Sequence, residues 1–194
     1  SGVGKTTIGK RLAADLNLEF FSSGLLYRVI ALHNEKTNSF NLNEFEIISN
    51  DPIVCKVDGN VYKEKNLYTP EINTKSSEIA QLSEIRMIVF NVLQFMFNNS
   101  KSGMVVEGRD MGSVVFKNAD LKIYLDASEV TRSERRKAQS GNKESVEDLR
   151  ARDSRDINRK ISPLIIPDDA IVINNENKSI DELIKIIKEN LKLQ

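Results

Sequence analysis

Ser1-Gly2-Val3-Gly4-Lys5-Thr6 (SGVGKT, residues 1–6) opens the chain, and its reading decides the rest. It is the end of a G-x-x-x-x-G-K-[ST] pattern whose first glycine would fall just before residue 1. Gly2 and Gly4 tolerate backbone angles that turn successive N–H groups inward around phosphate oxygens. A helix beginning at Lys5 adds the positive end of its dipole. Lys5 can reach the β and γ phosphates, and the Thr6 hydroxyl can ligand Mg²⁺. Ser1, Gly2, Val3, Gly4, Lys5, Thr6 and Thr7 are therefore the expected nucleotide-phosphate-binding residues, with Mg²⁺ as the accompanying ion. The opening lacks a methionine and a preceding strand, so the natural first strand is expected to be missing from this sequence.

Working outward, helix 1 is predicted from Lys5 to about Leu16, with Ile8, Leu12 and Leu16 on one inward stripe. Short apolar runs follow at Leu18–Phe21, Gly103–Glu107, Leu121–Asp126 and Ala170–Asn174. Separated by helical stretches, they predict a parallel sheet covered on both faces. Ser179 and Glu182 form a capping-box pattern before a last helix carrying Leu183, Ile184, Ile187 and Leu191. The stretch 41–73 breaks this rhythm. Ile53–Val57 and Val61–Lys63 flank Asp58-Gly59 as a β-hairpin, and Asn66–Tyr68 is read as a third strand. The expected fold is a single α/β P-loop NTPase domain over 1–194. It carries an antiparallel lobe inserted at about 41–73.

Composition narrows the function classes. Lys+Arg and Asp+Glu are both 28, so no global field points to nucleic acid or a membrane. Any anion site must be built locally. Cys55 is the sole cysteine, which excludes an intramolecular disulfide and suits a reducing cytoplasm. His33 is the sole histidine, which argues against a zinc site or a histidine triad; a surface or lightly packed side chain is expected. No apolar run approaches the roughly 20 residues that span a bilayer.

Phosphoryl transfer gathers many negative charges in line and needs several arginines around them. Arg28 lies in Ser22-Ser23-Gly24-Leu25-Leu26-Tyr27-Arg28, where a strand gives way to a helix. Arg109 lies in Glu107-Gly108-Arg109-Asp110, directly after a strand, where side chains face the ligand crevice of a parallel sheet. Arg152, Arg155, Asp156 and Arg159 share one helical face. Arg132, Arg135 and Arg136 follow another strand, with Arg132 and Arg136 on one face. Ordinary ion pairs on a solvated helix compete with the functional reading for the last two groups, since Glu147 and Asp148 stand nearby in sequence.

SGVGKTT, SSGLLYR, EGRDMGSVVF, KIYLDAS and RDSRDINRKISPL together resemble bacterial cytidylate kinase in order and spacing, nearly end to end. The resemblance implies transfer from ATP, bound by Ser1 to Thr7, to CMP or dCMP with Mg²⁺, by a cytoplasmic monomer with small nucleotides as its partners. It implies that Lys5 and Thr6 take the donor phosphates and metal, with Glu107 gripping magnesium through water. Ser23 and Arg28 would hold the acceptor, and Ser77 and Arg86 would read cytosine beside Arg109 and Asp110. Arg152 would handle phosphate, Asp156 would accept from the sugar hydroxyls, and Arg159 would serve sugar and phosphate. Lys5, Arg109, Arg132, Arg136 and Arg152 form the expected catalytic set. Cytosine offers an amino donor and acceptors at N3 and O2, which Ser, Arg and Asp can match. The resemblance also implies that the inserted lobe binds the acceptor and that a short lid lies at about 132–150. Its Arg132–Asn142 part would turn at Ser140-Gly141-Asn142 and exclude water on closing. Two departures stand out: Ser22 and Glu107 replace the aspartates usual in the family, and the lid between Arg136 and Arg152 is short.

Two rivals remain at this stage. One is a kinase of the same loop class acting on AMP, UMP or a metabolite. The other is a GTP-dependent switch, which needs Asn-Lys-x-Asp. Asn177-Lys178-Ser179-Ile180 fails, because the acid comes one place late at Asp181.

Overall fold

A computed structural model describes residues 2–40, 42–50, 53–141 and 145–191. Expectations resting on Ser1, Asn41 and Asn142 lie outside the described residues. The elements run α1 (Lys5–Leu16), β1 (Glu19–Ser22), α2 (Ser23–Thr37), β2 (Glu46–Asn50), β3 (Ile53–Val57) and β4 (Asn60–Lys63). Next come α3 (Glu64–Leu67), α4 (Pro70–Ile79), α5 (Ser83–Asn99) and β5 (Met104–Glu107). A π-helical turn (Met111–Val115), β6 (Ile123–Asp126), α6 (Glu129–Ser140), α7 (Val146–Asn158), β7 (Ile171–Asn174) and α8 (Ile180–Leu191) complete the chain. Two compact units divide it: residues 1–22 with 99–194, and residues 23–98.

The first unit is α/β with parallel pairing. β1 pairs with β5, aligning Ser22 with Glu107, and β6 pairs with β7, aligning Asp126 with Asn174. All four strands expected from the apolar runs form, within a residue or two of their predicted bounds. α1 packs on β1, β5 and α8. Gly9 makes the contact with β1 close, since a Cβ there would stand 2.6 Å from the Phe20 ring. Ile8, Leu12, Ile173, Leu183, Ile184 and Ile187 form one buried cluster, with Val105, Ile123 and Leu125 packed against it. Each such side chain contributes about 1.5–3 kcal/mol by leaving water. α8 starts as its sequence predicts: the Glu182 carboxylate accepts from the Ser179 backbone N–H at 2.7 Å, and the Ser179 hydroxyl accepts from the Glu182 N–H at 3.2 Å.

The second unit joins helices to an antiparallel sheet in the order β2-β3-β4. Asp58 and Gly59 turn the β3–β4 hairpin with φ of 46° and 80°, the double left-handed geometry that a two-residue hairpin loop prefers. The third strand is not Asn66–Tyr68. Asn66 and Leu67 belong to α3, and Glu46–Asn50 pairs with β3 instead. The reason is local. The Glu64 carboxylate accepts from the Ile53 N–H at 3.1 Å, and Leu67 turns fully inward, which a one-turn helix allows. Thr69 then caps α4, accepting from the Ile72 N–H at 3.3 Å, with Pro70 at its first position. α2 packs against α4 and buries Leu25, Leu26, Val29 and Ile30.

His33 departs from its expected place at the surface. It is 1% exposed; its Nδ1 meets the Tyr62 hydroxyl at 2.7 Å, and its Nε2 stands 3.6 Å from Asp58. Two polar partners offset the cost of burying the ring. Among the described residues no helix is long and apolar enough to cross a membrane.

Candidate functional site

In the first unit, the polar groups collect at the carboxyl ends of the strands, where an open α/β sheet places its ligands. Gly2 and Gly4 adopt φ of 76° and 83°, and α1 begins at Lys5 with Gly4 as its cap residue and no side chain on its first N–H groups. Those donors therefore need another partner. The turn is also pinned from outside. A Cβ on Gly2 would stand 2.5 Å from the Arg132 carbonyl oxygen, so only glycine fits.

Lys5 is half-buried. Desolvation and the field of Arg109 lower its pKa to about 8, against the opposing pull of Glu107, Asp156 and Asp153. That balance ties two distant stretches of sequence, 107–109 and 153–156, to one ammonium group. The Thr6 hydroxyl donates to Glu107 Oε1 at 2.8 Å. A hydroxyl and a carboxylate side by side are hard oxygen donors that fit Mg²⁺. No cluster of three or more His, Cys, Asp or Glu side chains suited to a metal occurs among the described residues. A magnesium ion here would thus take most of its ligands from nucleotide and water, as this ion commonly does.

Asp156 is the hub of the arginine group. Arg109 Nε donates to its Oδ2 at 2.6 Å, and Arg159 Nη1 stands 3.7 Å from its Oδ1. Arg159 Nη2 lies 3.7 Å from Asp110. Asp110, Asp156 and Arg159 are buried. Burial alone would lower the pKa of Arg109, but the charge and hydrogen bond of Asp156 outweigh it and the pKa is raised. Arg159 stands one residue beyond α7, with an extended backbone; its face-sharing with Arg152 ends where the helix does. Asp110 leads into the π-helical turn, accepting from the Val114 and Val115 N–H groups at 2.9 and 3.2 Å. Such turns are frequent at functional sites.

On α6, Arg132 donates from Nε to the Ala127 carbonyl at 3.2 Å and pairs with Asp153. Arg135 turns to Asn175. Arg136 on α6 and Arg152 on α7 are half-buried, and Thr7 is exposed.

In the second unit, Arg28 Nε donates to Asn73 Oδ1 at 3.1 Å, Nη1 donates to the Gly24 carbonyl at 2.8 Å, and the guanidinium lies 4.7 Å from the Tyr68 ring centre. Arg86, 8% exposed, donates to the Ala80 carbonyl at 2.9 Å and lies 5.8 Å from the Tyr27 ring centre. Ser23 and Ser77 are buried at the start of α2 and on α4. Sequence reasoning missed Asn73, Tyr68, Tyr27, Asp153 and Asn175, all of which position the arginines. An aromatic or amide near an arginine in the fold leaves no signature in spacing, although Tyr27 does stand beside Arg28 in sequence.

A family model described as cytidylate kinase matches residues 1–193. A cytidylate kinase of Chlamydia caviae is 36% identical, the alignment covering 96% of this chain and 92% of the relative. One from Flavobacterium psychrophilum is 35% identical with the same coverage, 96% and 92%. One from Clostridioides difficile is 32% identical over 100% of this chain and 95% of its own.

Proposed function

The chain belongs to the cytidylate kinase family, and from that premise we propose that it moves the γ-phosphoryl group of ATP to CMP or dCMP. Gly2, Val3, Gly4, Lys5, Thr6 and Thr7 form the phosphate-binding loop for ATP in this reading. Ser23, Arg28, Ser77 and Arg86 hold the acceptor, with Arg109, Asp110, Arg152, Asp156 and Arg159 completing its base, sugar and phosphate contacts. The observation that carries it is the convergence on Lys5. A desolvated lysine at the start of α1 feels Arg109 and Glu107 at the end of β5 and Asp153 and Asp156 on α7, the gathering of charge that a site for several phosphates requires.

The acceptor nucleophile is a phosphate oxygen, already largely ionised near neutral pH. It attacks the γ phosphorus while the bond to the ADP oxygen breaks, so neither a covalent intermediate nor a general base is needed. Lys5 meets the charge that develops on the transferring group and the departing β-phosphate. Arg28 fixes the attacking phosphate in line, and Arg109 and Arg132 add positive charge from their carboxylate-braced positions. Thr6 and Glu107 would hold Mg²⁺ together with ATP, and the ion would supply neutralisation of charge on the phosphate oxygens. Residues 132–150 act as the lid that excludes water, and residues 41–73 extend the acceptor-binding lobe. The enzyme works as a monomer, and its single cysteine, buried and free, fits the reducing cytoplasm.

Initial rates with ATP and a panel of CMP, dCMP, UMP and AMP test the proposal. CMP or dCMP should give the highest kcat/KM. A clear preference for AMP would replace it with the rival kinase reading.

A further inference from the structure

We infer that Asn175 is a positioning residue for the donor loop, acting through the carbonyl of Val3; this rests on the reading that residues 2–6 hold the ATP phosphates. Asn175 follows β7 directly and is 2% exposed. Its Nδ2 donates to the Val3 carbonyl oxygen, a partner 172 positions away in sequence. Its Oδ1 accepts from Arg135 Nη1 at 2.9 Å, and its backbone carbonyl accepts from Arg135 Nη2 at 3.2 Å. Its backbone N–H donates to the Asp126 carbonyl at 2.9 Å, which anchors the residue to the end of β6.

The amide can face only one way. A carbonyl only accepts and a guanidinium only donates, so Val3 demands the NH₂ end and Arg135 demands the oxygen end. Arg135 thus holds the Asn175 side chain, and Asn175 holds Val3.

The consequence follows from peptide planarity. The Val3 carbonyl and the Gly4 N–H belong to one trans peptide and point in opposite directions. Tying the carbonyl to Asn175 therefore fixes where the Gly4 N–H points. Gly4 sits at φ 83°, and a Cβ there would meet Asn175 Nδ2 only at 3.7 Å, so space alone does not hold this peptide. Left untied, the peptide can rotate and turn its carbonyl towards the phosphates, replacing a donor with an acceptor. Gly2 is packed against the Arg132 backbone on the other side, so α6 steadies the turn at two points.

Three variants separate this role from simple packing. Asn175→Ala removes the donor without adding charge. Asn175→Asp removes the donor but keeps an acceptor for Arg135. Arg135→Ala leaves the amide in place without its brace. ATP and CMP affinities are measured separately by calorimetry, beside the melting temperature.

Both Asn175 variants should weaken ATP at least tenfold while CMP affinity stays within twofold. Arg135→Ala should weaken ATP by a smaller factor, and adding it to Asn175→Ala should change little further. Wild-type ATP affinity in Asn175→Asp, weakening by Asp but not by Ala, or equal losses for ATP and CMP would each overturn the inference. If both Asn175 variants fail to fold, Arg135→Ala decides: unchanged ATP affinity overturns it. A wild-type protein that binds ATP but does not phosphorylate CMP sinks the proposed function and leaves this inference standing. A wild-type protein that binds no ATP overturns both.

Discussion

Asp156 and Asn73 perform the same task in different units. Asp156 fixes Arg109 with a carboxylate oxygen at 2.6 Å; Asn73 fixes Arg28 with an amide oxygen at 3.1 Å. The first unit repeats its choice at Arg132 with Asp153 and at Arg159 with Asp110. The second repeats its own at Arg86, which rests on a carbonyl oxygen and the Tyr27 ring. A carboxylate holds a guanidinium strongly but cancels part of its field. An amide oxygen or an aromatic face orients the cation while subtracting no unit of charge. The lesson is a division of labour. Around Lys5, where several cations crowd together, acids keep the repulsion tolerable in the absence of nucleotide. At Arg28 and Arg86, the amide, carbonyl and ring contacts described orient the cation without themselves subtracting charge.

Lys5 gives the largest expected effect. Lys5→Ala should lower kcat roughly a thousandfold, the loss of a transition-state contact worth about 4 kcal/mol. Near-normal turnover would remove the first unit from the chemistry.

The pH dependence sharpens the same point. Desolvation and Arg109 lower the pKa of Lys5 to about 8 in the free protein, while bound phosphates would favour its charged form. Binding ATP above pH 8 therefore takes up a proton. The ATP Kd should be flat below pH 8 and rise by up to about tenfold per pH unit above it. The acceptor contacts proposed do not include Lys5, so the CMP Kd should not follow. A parallel rise for both ligands would break the contrast.

Stability distinguishes the two kinds of brace. Asp156→Ala, which strips a charged hydrogen bond from Arg109, should cost about 2–3 kcal/mol in urea denaturation. Asn73→Ala should cost about 1 kcal/mol. The reverse order would mean that the carboxylate brace is not the stronger one. Asp156→Ala should also raise the KM for CMP with the KM for ATP little changed. The smallest effect belongs to Tyr68→Leu, where losing a cation–π contact of about 0.5–1 kcal/mol should raise the KM for CMP about two- to fivefold.

Much of this was legible in the sequence because it is local. The bounds of α1, the four parallel strands, the Asp58-Gly59 turn and the Ser179–Glu182 cap each follow from a few adjacent residues. Placing Glu107 at a strand end also put its carboxylate within reach of Thr6. What escaped notice depends on tertiary contact. Glu46–Asn50 forms a strand only because β3 offers it an edge, and α3 forms where Leu67 finds a core. His33 is buried by partners 29 and 25 positions along the chain, at Tyr62 and Asp58. Arg135 lies off the face shared by Arg132 and Arg136, and only the fold brings Asn175 to it. Side-chain polarity indicated where charge would gather, but the choice between acid, amide and ring as the brace appears only in three dimensions.

The central claim is that Lys5 holds the donor and Arg28 the acceptor, and calorimetry on two variants tests it most directly. Titrating Lys5→Ala and Arg28→Ala with ATP and with CMP separately should give a crossed result. Lys5→Ala should lose ATP affinity and keep CMP affinity, and Arg28→Ala should do the opposite. If Arg28→Ala binds CMP as tightly as the wild type, or loses ATP instead, the assignment of the two ligands is wrong.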